Sequence, residues 1–303
     1  MSNNHRNIKI GIFLTVAISL AIVLLVPTPV IYGQMRDLEA NGLTLTDQQL
    51  SMIPQEIIKD AARIADELLG NRTDKAEDYA SQLLASYYAA KNKDFVIIFN
   101  PGGWGWASIK DSSGWDSIAI AISAELLDMG YDTLILDYQR TTSDLIGPLS
   151  EMTDSVGKYS DKAKYLAPRV DFLTRHLPGI NIILTGESNG TIICDKVMRF
   201  LKDNPRVYSI QTGPPSWHTT FDIERSLVLR SNGQVPDSFS QGHFFTAIRA
   251  NLEALFGIAQ ENEGDILLYI GAPGHDYGWQ YPVLREQILN FIHKSFLAKA
   301  GNY

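Results

Sequence analysis

The chain has 303 residues, 45% of them hydrophobic and 20% charged, with 23 glycines, 13 prolines and one cysteine. Those proportions exclude a disordered tail, a collagen-like rod and a disulfide-stapled mini-domain, and they supply ample apolar material for a core. Lysine and arginine number 26 against 34 acidic residues, a net charge of −8; an acidic body without basic runs argues against nucleic-acid binding, and the lone Cys194 excludes an internal disulfide or a CxxC metal site.

The first 35 residues stand apart. Arg6 and Lys9 are their only charges, so the remainder holds 24 basic against 34 acidic residues, or −10. Between Ile10 and Val26 runs an uncharged apolar stretch of ~17 residues, which Val30–Tyr32 lengthen towards what spans a bilayer. No polar face interrupts it, as a buried globular helix would require. Residues 1–35 are therefore expected to be an N-terminal transmembrane anchor, in contact with the membrane through residues 10–32. The basic flank would stay cytoplasmic and the remainder would lie outside. A cleaved signal peptide is the competing reading, although no small-x-small site follows Val26.

Residues 36–92 are expected to be a helical linker or cap segment. Thr46-Asp47-Gln48-Gln49 resembles a capped start, and Leu50, Ile53, Ile57, Ile58, Ala61, Ile64, Ala65 and Leu68 follow helical spacing to a stop at Gly70-Asn71. A second helix begins at Thr73 and carries Tyr79, Leu83, Leu84, Tyr87 and Tyr88 along one side.

After Lys93 the texture changes, and 93–303 reads as one domain. Short apolar runs at Phe95–Phe99, Thr133–Leu136, Ile180–Thr185, Val207–Ile210, Leu227–Leu229 and Ile266–Ile270 alternate with helical patterns near 116–129, 161–176, 190–203, 243–257 and 282–298. That alternation predicts an α/β fold, a mostly parallel sheet with helices on both faces. Ligands then bind at the carboxyl edge of the strands.

Three features lie at those strand ends. Ile180–Thr185 runs into Gly186-Glu187-Ser188-Asn189-Gly190 and then an amphipathic helix, which is G-x-S-x-G in a strand–turn–helix setting. So sharp a turn brings backbones together and demands small residues two before and two after the serine. Phe99-Asn100-Pro101-Gly102-Gly103-Trp104-Gly105-Trp106 forms a glycine-rich loop after the first strand. His275 follows the late apolar run ILLYIGAPGHDYGW and precedes the last helix. There is no HExxH, P-loop or GxGxxG spacing.

On these residues, 93–298 resembles the α/β-hydrolase superfamily, in its serine esterase and lipase-like members. The family's usual first hairpin is not evident, because 46–91 reads as helical, and Asn100-Pro101-Gly102 stands where many members carry His-Gly. The resemblance implies Ser188 as nucleophile and His275 as general base, with His218 and His243 as runners-up. It implies an orienting acid after the preceding strand, Asp237, with Asp222 and Asp265 as alternatives. It implies an oxyanion hole from the amides of Asn189 and of Gly103 or Trp104. No metal or organic cofactor is required. Glu187 and Asp137 read as structural, and Trp104, Trp106 and Trp115 as pocket lining or core packing. The expected activity is hydrolysis of a carboxylic ester, lipid-like or thioester included. An acyltransferase with the same acyl-enzyme, or a non-catalytic membrane-tethered binding protein, are the alternatives.

Overall fold

The computed structural model describes residues 43–70, 73–103, 105, 107–139, 160–243, 245–246, 249, 265–266 and 270–297. Five strands form one parallel sheet: β1 (Phe95–Asn100), β2 (Thr133–Asp137), β3 (Asn181–Glu187), β4 (Val207–Thr212) and β5 (Ser226–Leu229), in the order β2-β1-β3-β4-β5. The helices described around it include α1 (Asp47–Ser51), α2 (Gln55–Leu69), α3 (Thr73–Ala90), α4 (Ser113–Asp128), α5 (Ser160–His176), α6 (Gly190–Phe200) and α7 (Pro282–Ile292).

The sheet is apolar on both faces because both are covered. Val96, Ile98, Ile182 and Leu184 face α5 and α6, where they meet Leu166, Val170, Ile193 and Val197. Phe95, Ile97, Phe99, Ile183 and Ile210 face the other way, onto Trp115, Ile118 and Ile122 of α4 and Leu284 and Ile288 of α7. This three-layer arrangement is the α/β fold expected from the alternating pattern. β1 has β2 on one side and β3 on the other, so the chain leaves their carboxyl ends in opposite directions. The crevice of such a sheet opens at that switch point, between Asn100 and Glu187.

The segment before the sheet is helical but begins in two pieces. Thr46 makes the capping box with Gln49. The following helix restarts at Gln55 after Pro54, which has no N–H to continue the ladder. Gly70, at φ +58°, closes it. Ile57, Ala61, Ile64, Tyr79 and Leu83 then bury themselves with Phe172 of α5. The hydroxyl of Tyr79 donates to the Tyr165 carbonyl, and the Asp60 carboxylate accepts from Arg175 and pairs with His176. The pair is thus stacked on the outer side of α5.

One expected strand is corrected. Asp265–Ile266 (β6) and Ile270–Gly271 (β7) pair with each other in antiparallel register and form a separate two-stranded sheet. The chain has reversed direction inside the apolar run, so the run is not a sixth parallel strand. An apolar stretch of this length has no periodicity that separates a buried strand from a hairpin. The last helix also ends differently, passing from α7 into a π-helical turn, His293–Leu297. Of the predicted 243–257 helix, residues 243, 245, 246 and 249 are described; 243 lies outside the helix and the other three are helical. Among the described residues no helix is long and apolar enough to cross a membrane. The expected anchor, 10–32, lies outside them.

Candidate active site

Ser188 stands at the turn from β3 into α6. Its φ is +49°, and among the described residues it is the one non-glycine with positive φ. That conformation costs a side-chain-bearing residue about 1–2 kcal/mol. The neighbours show why the turn cannot relax. A Cβ on Gly190 would lie 2.2 Å from the Asn100 carbonyl oxygen, and one on Gly186 would lie 2.9 Å from Cys194 Sγ and 3.0 Å from the Gly190 backbone. β1, the turn and α6 meet at backbone distance, which is the steric demand read from the spacing. The turn is pinned by the Ser188 N–H, which donates to the Thr212 carbonyl of β4 at 2.9 Å, and by Thr191 Oγ1, which donates back to the Ser188 carbonyl at 2.6 Å.

The loop after β1 closes over this turn. A Cβ on Gly102 would sit 3.1 Å from the Ser188 Cβ. Gly103, at φ +52°, continues the loop. Trp104 and Trp106 lie outside the described residues. The Gly102 amide donates to the Glu187 carboxylate, which also accepts from Ser112 Oγ at 3.2 Å. Glu187 therefore ties the β1 loop to the start of α4. Burial raises its pKa, and the Asp276 carboxylate adds to that, against the lowering influence of His275, Ser112 and the Gly102 amide. Asn100 staples the same corner, its Nδ2 donating to the Thr185 carbonyl at 3.1 Å. Asn189 is the N-cap of α6, so its amide belongs to the first-turn donors that have no partner inside the helix.

His275 approaches from the far end of the chain. Gly274 holds φ +79° with the Pro236 carbonyl directly against it, a conformation and a closeness that exclude a side chain. His275 Nδ1 is 2.9 Å from Asp237 Oδ2. The same oxygen accepts from the Tyr277 hydroxyl at 2.6 Å, while Oδ1 accepts from the amides of Phe239 at 2.9 Å and Ser240 at 3.0 Å. Burial alone would raise the Asp237 pKa, but the bond and charge of His275, together with Tyr277 and the Ser240 amide, hold it below the usual carboxylate range. Burial and the adjacent carboxylate push the Tyr277 hydroxyl well above its ordinary value. An ionised Asp237 can only accept, so Nδ1 is the donor in this bond.

The imidazole is enclosed on its other sides. Phe239 and Tyr277 meet it edge-on at 5.0 Å and 5.9 Å, and a Cβ on Gly213 would lie 2.6 Å from its Cε1. Gly213 follows Thr212, whose carbonyl holds the Ser188 amide. One strand end therefore seats both the histidine and the serine, although 87 positions separate them in sequence. Ser188 is 5% exposed and His275 7%, so both are almost fully buried.

The remaining expected residues fall elsewhere. Asp222 is exposed in the loop before β5, Asp265 is in the two-residue β6, and His243 is exposed. His218 is 3.2 Å from Asp195 of α6. Trp115 is fully buried core, its ring tilted against Phe99 at 5.7 Å and its indole N–H donating to Thr212 Oγ1. Asp137 accepts from the Ile109 amide and plays a structural part. Sequence reasoning missed Tyr277 and Gly213 and the staple that Asn100 makes to Thr185; Tyr277 was legible only as an aromatic two positions after the histidine.

No known family model matches the chain, and no curated protein matches it. Among solved structures, one described as Trichoderma reesei cutinase in complex with a C11Y4 phosphonate inhibitor is similar, with 16% identity and a TM-score of 0.38. That similarity covers 81% of this chain and 95% of the cutinase chain. The assignment of an α/β fold rests on the parallel sheet and its two helical layers themselves.

Proposed function

We propose that the chain is a serine ester hydrolase, with Ser188 as nucleophile, His275 as general base and acid, and Asp237 as the group that orients the ring. The observation that carries this reading is the pairing of a strained serine with a histidine already bonded to a buried, ionised carboxylate at one strand end. Strain of this kind persists where the surroundings over-determine it, and it clusters at sites of chemistry.

Ser188 Oγ bonds to the ester carbonyl carbon as its proton passes to His275 Nε2. The carbonyl π pair moves onto oxygen, which is held by the amides of Asn189 and of Gly103 or Trp104. A missing donor of this kind costs ~3 kcal/mol of transition-state stabilisation. The intermediate collapses, the carbon–oxygen bond to the alcohol breaks, and Nε2 returns the proton to the departing oxygen. Water, deprotonated by Nε2, then releases the acid and regenerates Ser188. Throughout, Asp237 keeps Nδ1 protonated and stabilises the imidazolium.

Residues 10–32 tether this domain to a bilayer with the N-terminus cytoplasmic and the hydrolase outside, which suits lipid-like esters. Steady-state hydrolysis of 4-nitrophenyl butanoate tests the reading. The parent turns it over with stoichiometric release of butanoate, and Ser188→Ala loses the activity. Transfer of butanoate only to an added alcohol or amine would mark an acyltransferase. Retention of hydrolysis by Ser188→Ala would overturn the nucleophile assignment.

A further inference from the structure

Trp217 is half exposed, in the loop between β4 and β5, and nothing in the proposed reaction uses it. Its ring meets Phe239 edge-on at 5.1 Å, and Phe239 in turn meets His275 at 5.0 Å. A row of aromatic surface thus leads outward from the histidine. An indole at 50% exposure keeps much of its apolar area in water, and covering it is favourable.

The loop that carries Trp217 is fastened at several points. Asp195 of α6, almost fully buried, accepts from the Phe221 amide and from Arg199 Nε at 3.1 Å, with His218 Nε2 at 3.2 Å. Arg199 also donates to the Thr219 carbonyl, and Ser240 Oγ donates to the Pro214 carbonyl at 2.7 Å. That last bond joins the loop to the turn that carries Asp237. The Trp217 platform is therefore pre-organised, so covering it requires little further ordering of the protein.

We infer that Trp217 and Phe239 form the subsite for the alcohol portion of the ester and select an apolar, preferentially aromatic, leaving group. This rests on the ester-hydrolase reading. The direction follows from proton bookkeeping. The proton that His275 takes from Ser188 is returned to the departing oxygen, so the alcohol leaves along the His275 side. Tyr277 meets that ring and is itself buried, whereas Phe239 meets it and leads on to the half-exposed Trp217.

The test is a matrix of butanoate esters of methanol, benzyl alcohol and 2-naphthylmethanol against parent, Trp217→Ala and Trp217→Phe. The expected result is a benzyl-over-methyl ratio of kcat/KM that falls about tenfold in Trp217→Ala and recovers in Trp217→Phe, in keeping with what one apolar contact discriminates. A parallel series of methyl esters with lengthening acyl chains should keep its chain-length preference in Trp217→Ala. An unchanged alcohol ratio, or a shift confined to the acyl series, overturns the inference. If that happens while a fluorophosphonate still labels Ser188, the hydrolase reading stands and the subsite alone fails. If no ester is hydrolysed and Ser188 is unlabelled in the parent, the reading beneath it has failed as well.

Discussion

Among the described residues two buried carboxylates lie against a histidine, and the difference between them separates the pair proposed for catalysis from a structural one. Asp237 meets His275 through Nδ1, within hydrogen-bonding geometry, and its other lone pairs are filled by Tyr277 and two amides. Nε2 takes no part in that pairing. Asp195 meets His218 through Nε2 itself, 3.2 Å away but off-line for a hydrogen bond, and Arg199 shares the carboxylate. Both carboxyls have depressed pKa values, the opposing burial in each being outweighed by nearby donors. A low carboxyl pKa beside an imidazole thus does not by itself tell the two pairs apart; the ring nitrogen each carboxylate meets does.

The comparison breaks most visibly under truncation of the rings. His275→Ala should lower kcat/KM for 4-nitrophenyl butanoate by on the order of 10⁴-fold or more, as removal of a triad base does, while His218→Ala should cost less than about tenfold, well under the few kcal/mol a transition-state group supplies. Equal losses in the two variants would erase the distinction. Next come the acids. Asp237→Asn should lower kcat by about 10⁴-fold, because an amide presents its N–H to the ring and favours the wrong tautomer. Asp195→Asn should act on stability, with a loss of about 1–3 kcal/mol in urea unfolding from a buried site deprived of its charge-assisted bonds.

Smaller effects sharpen the account of Asp237. Its folded pKa is depressed, so the stability it contributes is present above its unfolded pKa of about 3.9 and is lost as pH falls through the folded value. Tyr277→Phe removes one of its donors, narrows that window and should make acid unfolding begin at higher pH, read by circular dichroism. Glu187 is the opposite case. Its pKa is raised, so its contribution is present below an unfolded pKa of about 4.3 and is lost as pH rises through the folded value. Glu187→Gln should therefore raise Tm at pH 8, and the gain should vanish near pH 4.

How much of this was legible in the sequence depends on the distance between cause and effect. The elbow was legible because its cause is local: Gly186 and Gly190 are demanded by backbone approach within five residues. The five strands were legible to within a residue or two because each is a short apolar run between turns. The run around Ile266–Ile270 was misread because its direction depends on pairing, which apolar composition does not encode. Asp237 emerged only as one of three acids, since its bond to His275 crosses 38 positions. Gly213 gave no signal, and Tyr277 only that of an aromatic two positions after the histidine: each matters for a ring brought to it by the fold.

The central claim is that Ser188 and His275 act on one carbonyl carbon from a shared crevice. Fluorophosphonate labelling followed by peptide mass spectrometry examines it most directly. The account predicts a single adduct on Ser188 in the parent, none in Ser188→Ala, and labelling slowed by several orders of magnitude in His275→Ala. An adduct on another residue, or labelling of Ser188 at the parent rate without the histidine, would contradict it.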